Sequence, residues 1–113
     1  MSEAMRRVTL DWMDRRTPAP PFELERRLLR ALERLPNPAA TIPLTLAAAA
    51  LNSLSDSVRA GNSRHAANDL LAADALLTYA HEAAAEQGTA DLEELTRDFD
   101  IARFELLVRV ISG

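Results

Sequence analysis

Apolar residues recur at threes and fours along almost the whole chain, in five runs separated by proline and glycine, which is the period of one-sided helices rather than strands. The first run, over residues 2–16, sets Met5, Val8 and Trp12 at helical spacing with Met13 beside them, a narrow stripe on a charged segment. Trp12 is its expected anchor, because an indole offers more apolar area than any other side chain here. Pro18, Pro20 and Pro21 then interrupt the chain. The second run, over residues 21–35, takes proline in its first turn, where a missing N–H does no harm. Leu24, Leu28, Ala31, Leu32 and Leu35 form its stripe, and Glu23 and Arg27 are spaced for an i,i+4 ion pair.

Pro36 and Pro38 end that run. The third, over residues 41–60, has Thr41 as N-cap and Pro43 in its first turn, with Leu44, Ala47, Leu51, Leu54 and Val58 as its seam. The fourth, over residues 63–87, aligns Ala66, Leu70, Ala73, Leu77, Ala80 and Ala84, with Leu71 and Leu76 alongside. Only Gly61 and Asn62 separate these two runs, so helices three and four are expected to form an antiparallel hairpin. The fifth begins near Thr89 as N-cap, with Asp91, Glu93 and Glu94 where the helix dipole favours acids. Its seam is Leu92, Leu95, Phe99, Ala102, Leu106 and Val110, while Ile101, Phe104, Leu107, Val108 and Ile111 spread apolar character round the other faces. One packing face does not need that much. Gly61 and Gly88 stand where the third and fourth patterns run out, the place for a left-handed residue past a helix end. The predicted fold is all-α, a single-domain bundle of about five helices over residues 1–113, in which residues 1–20 supply a more loosely docked helix and a proline-rich linker.

Composition narrows the function classes. Hydrophobic residues make up 48% of the 113, enough for one core, and a helical layer this small gains apolar burial by pairing with a second copy. Aromatic content of 4% beside abundant alanine favours close helix packing over an aromatic-walled ligand pocket. A net charge of −4 disfavours nonspecific nucleic-acid binding, which needs a basic footprint. With no cysteine there is no disulfide framework, thiolate metal site or cysteine nucleophile. No apolar stretch has membrane-spanning length and no export-leader pattern opens the chain, so a soluble, cytoplasmic protein is expected.

Two polar constellations are candidate sites. Asp74, Thr78, His81 and Glu82 fall on neighbouring turns of the fourth helix and could begin a metal or ligand face, although Glu-x-x-His pairs on two helices are lacking. A solvated polar face accounts for the same residues. His65 and His81 stand four turns apart and cannot share an ion within one chain. Arg26, Arg27, Arg30 and Arg34, preceded by Arg6, Arg7, Arg15 and Arg16, make the N-terminal third locally basic. Such a face either docks an acidic partner or a phosphate backbone, or pairs with its own Glu23, Glu25 and Glu33. Glycine-rich phosphate loops and the Gly-x-Ser-x-Gly elbow are absent.

Two short resemblances add to this reading. The segment Asp74-Ala-Leu-Leu-Thr-Tyr-Ala-His-Glu82 resembles a helix of trans-isoprenyl diphosphate synthases, whose aspartate-rich magnesium motifs have no counterpart here. No catalytic residue carries over. The stretch Arg59-Ala-Gly-Asn-Ser-Arg-His65 is similar in spacing to the Arg-x4-6-His element of small helical HEPN domains, which implies Arg59 and His65 as an alternative site.

The leading expectation is a non-catalytic helical interaction or assembly protein without a cofactor, a homodimer or the binder of a protein partner, using Phe104, Leu107, Val108 and Ile111 with the alanine-rich faces of helices three and four. The competing expectation is a small HEPN-like or metal- or ligand-binding bundle.

Overall fold

The computed structural model describes residues 3–16, 19–35 and 41–112, with the side chains at 89, 103, 104 and 106–112 outside the description. Its elements are α1 (Glu3–Asp14), α2 (Phe22–Glu33), α3 (Ile42–Ala60), α4 (Arg64–Gln87) and α5 (Thr89–Ser112), with no strand among the described residues. The all-α bundle and the α3–α4 hairpin are as the sequence predicts.

Helix boundaries follow from local chemistry. Thr41 caps α3 by accepting from the Leu44 amide at 3.3 Å, and Pro43 occupies the first turn. Ser63 caps α4 in the same way, accepting from the Ala66 amide at 3.1 Å. The start of α2 falls one residue later than the pattern implies, with Pro21 as a cap residue that has no side-chain donor or acceptor to offer. At α5 the cap position belongs to Gly88, whose carbonyl accepts from the Leu92 amide at 3.2 Å, so Thr89 is the first helical residue rather than the cap. Gly61 and Gly88 have φ of 69° and 139°, both in the region that favours glycine. Their ψ values of −127° and 163° lie outside the left-handed helical well, so neither is the αL residue anticipated.

The α3–α4 hairpin is the centre of the molecule. Every other helix packs against α3, and α4 meets α1 through Trp12. Leu46, Ala49 and Ala50 of α3 and Leu76, Ala80 and Ala84 of α4 are buried in one cluster, so the two backbones approach through small side chains. This differs from the predicted seams. Leu44 and Leu70 are exposed, Leu51, Leu54, Val58 and Leu77 are only half-buried, and Ala66, Ala73, Ala80 and Ala84 keep their predicted burial. The reason is steric: an alanine face admits a second helix more closely than a leucine face does, so Leu46 and Leu76 stay in the core while Leu44 and Leu70 fall outside it.

The outer helices close the core from both sides. The predicted stripe of α2 is observed, with Leu28 and Leu32 fully buried, Ala31 and Leu35 buried and Leu24 half-buried. On α1 the buried face is Thr9, Trp12 and Met13, rotated from the predicted one, and Val8 is exposed. Thr9 tolerates complete burial because its hydroxyl donates to the Met5 carbonyl at 2.8 Å. Leu95 and Phe99 of α5 enter the same core, with Leu92 and Ala102 half-buried. The side chains of Leu106 and Val110 lie outside the described residues.

Candidate functional site

On α4, two members of the predicted polar face, Thr78 and His81, bond to the backbone of the helix itself. The Thr78 hydroxyl donates to the Asp74 carbonyl at 2.9 Å, a contact with the backbone rather than with the Asp74 carboxylate. His81 places Nδ1 2.8 Å from the Leu77 carbonyl, and because a carbonyl only accepts, Nδ1 carries the proton in that contact. The remaining nitrogen, Nε2, lies 3.3 Å from the Thr96 hydroxyl of α5, whose own short contact is to the Leu92 carbonyl at 2.9 Å. With Nδ1 protonated, Nε2 is an acceptor, and the single Thr96 proton serves either that nitrogen or, at the shorter distance, the Leu92 carbonyl. Asp74 and Glu82 are exposed, and no three metal-ligating side chains come together among the described residues.

Arg59 and His65 stand at the end of α3 and the first turn of α4, on either side of the turn at residues 61–63. Arg59 is exposed and paired with Asp56 at 2.8 Å. Asp56 also receives Arg34 from the end of α2 at 2.8 Å, so Arg59 belongs to a three-charge cluster that fastens α2 to α3. His65 is exposed.

Two further arrangements emerge only in three dimensions. Trp12 donates its indole N–H to Glu86 Oε2 at 3.2 Å, while Arg16 reaches Glu86 Oε1 at 2.5 Å and lays its guanidinium 4.0 Å from the indole centroid. Tyr79 meets the same indole edge-on, with centroids 6.0 Å apart at 83°. Hydrogen bonds from Arg16 and then Trp12 hold the Glu86 carboxyl below the usual glutamate range. Burial first, and then the charge of Glu82, pushes the Tyr79 hydroxyl up. Trp12 was legible as a packing residue; Glu86 was not, since nothing in the local pattern ties it to a residue on another helix.

The second arrangement is the arginine ridge of α2. The Glu23–Arg27 pair that spacing predicts is replaced by Glu23–Arg26 at 3.9 Å, and no described carboxylate lies within 4.0 Å of Arg27 or Arg30. Glu23, Arg26, Arg27 and Arg30 line a shallow depression of about 120 Å³. A larger cleft of about 140 Å³ opens between α3 and α5, with Pro43, Leu44 and Leu95 as apolar lining and Asp91 and Glu94 among its polar residues. The predicted interface residues Phe104, Leu107, Val108 and Ile111 lie on α5, and their side chains fall outside the described residues.

No family model matches the chain, and comparison with curated proteins and with solved structures likewise gives no match. The two resemblances therefore rest on their own short motifs. No helix among the described residues is long and apolar enough to cross a membrane.

Proposed function

We propose that this chain is a non-catalytic helical assembly module that pairs with a second copy of itself in the cytoplasm, through the outer side of α4 and the C-terminal half of α5. The observation that carries the reading is the exposure of Leu70, Leu71 and Ile101, at 52%, 61% and 53%, after the hairpin has already buried its alanines. Large apolar side chains left exposed on two helices that pack on each other favour an interaction surface. The alanine faces, expected to add contact area, are used within the chain, so the interface rests on the larger side chains. Phe104, Leu107, Val108 and Ile111 are the proposed continuation of that surface along α5. The polar face of α4 does not favour the competing reading, because His81 is bonded to its own helix through Nδ1 and no three metal-ligating side chains come together among the described residues.

Replacement of Leu107 or Ile111 by Asp is expected to separate the subunits while far-ultraviolet circular dichroism still reports a helical chain. An unchanged mass by sedimentation equilibrium, with folding intact, would remove the support for this interface.

A further inference from the structure

Two charged surfaces on this chain are opposite in sign, and among the described residues Glu23–Arg26 at 3.9 Å is the one ion pair that involves either. On α2, Phe22, Arg26 and Arg30 follow one another at four-residue steps with Arg27 beside them, and Phe22 is 70% exposed. The opposite face of α2 is locked into the core by Leu28 and Leu32, both fully buried, so the aromatic and its arginines are held outward as a fixed ridge. On α5, Asp91, Glu94 and Asp98 follow at steps of three and four and are all exposed. No described cation lies within 4.0 Å of any of the three. Asp91 and Glu94 border the cleft whose apolar lining includes Pro43, Leu44 and Leu95, and Leu44 is itself 42% exposed.

We infer that the α3–α5 cleft receives the α2 ridge of a second copy of this chain, with Phe22 against the exposed Leu44 at the cleft's edge and the arginines against Asp91, Glu94 and Asp98. The inference rests on the self-association reading and adds a second, electrostatic contact to it. The two stripes match in length, about 12 Å from Phe22 to Arg30 and about 10 Å from Asp91 to Asp98 at helical rise. Charge matching selects the pairing: like surfaces, ridge on ridge or cleft on cleft, repel, whereas ridge on cleft brings opposite charges together beside an apolar contact. Exposed ion pairs of this kind are screened by salt, so the contact weakens as ionic strength rises.

A charge swap tests this. Arg26→Glu with Arg30→Glu reverses the ridge, and Glu94→Arg with Asp98→Arg reverses the cleft; Asp91 is left in place because it stabilises the start of α5. Each reversed pair is expected to raise the subunit dissociation constant on the order of 100-fold, since several attractions become repulsions. The chain carrying all four substitutions should reassemble, because its ridge and cleft are again opposite in sign. Circular dichroism keeps unfolding apart from dissociation. A wild-type monomer overturns both this inference and the self-association reading. A wild-type multimer indifferent to either reversal overturns the inference alone. Dissociation by the single reversals without recovery in the swapped chain also overturns it, since the arginines would then engage something other than these acids. So does loss of inorganic pyrophosphate binding on ridge reversal with assembly unchanged, which would make the ridge a phosphate site.

Discussion

Glu86 adds a polar tie to the docking of α1, whose buried face is Thr9, Trp12 and Met13, because one carboxylate accepts from both the Trp12 indole and the Arg16 guanidinium. Its folded-state pKa is lowered, so its contribution is present above the ordinary glutamate range and is lost as pH falls through the lower folded value. An acid titration followed by Trp12 fluorescence is therefore expected to show a step below that range, and Glu86→Gln should lack the step. Matching titrations for the two proteins would exclude this role. Trp12 itself could be read from the sequence as an anchor, since it is the lone indole on a narrow stripe. Its partner could not, because an exposed glutamate among several carries no mark of a contact with a distant helix. The same limit applied to His81: spacing put it beside Asp74 and Glu82, but the groups that engage it are the Leu77 carbonyl and Thr96.

At the scale of elements, the positions of the five helices were legible because proline, glycine and capping residues are local signals. Which face of α3 and α4 turns inward was less so. A hydrophobicity pattern ranks leucine above alanine, yet the hairpin buries Ala49, Ala50 and Ala80 and leaves Leu70 and Leu71 exposed. Ala80→Leu should accordingly destabilise the protein by about 1–3 kcal/mol through overpacking. Leu70→Ala should change monomer stability by no more than about 0.5 kcal/mol, as an exposed substitution does. Chemical denaturation under conditions that hold the chain monomeric separates the two, and the reverse order would restore the leucine seam. The turn between these helices supplies a second check. A Cβ at Gly61 meets nothing within 4 Å, so Gly61→Ala isolates the backbone penalty of φ 69°. That penalty is expected at about 1 kcal/mol or somewhat more, measured as a lower denaturation midpoint with an unchanged m-value. The Thr41 and Ser63 caps are each expected to lose about 1 kcal/mol on replacement by alanine in the same assay.

For the whole molecule, the net charge of −4 conceals an uneven distribution: the first half of α5 is acidic, while α2 is balanced in sum and groups Arg26 and Arg30 along one exposed face. The sequence shows the arginine run plainly, but its own glutamates offered a sufficient explanation for it. The structure removes most of that explanation, since Arg26 has only a 3.9 Å contact and Arg27 and Arg30 have no described carboxylate within 4.0 Å. Excess apolar character on α5 was equally visible in the sequence, whereas the exposure of Leu70 and Leu71 depended on the hairpin packing through its alanines. Both features motivate the proposal that the chain completes its burial and its charge pairing against another copy.

Sedimentation equilibrium of the unmodified protein over a concentration series, at low and then at high salt, tests that account most directly. A reversible equilibrium between one chain and an assembly of chains, shifted toward the single chain by salt, is the predicted result. A mass of one chain at every concentration and at both salt levels would contradict it.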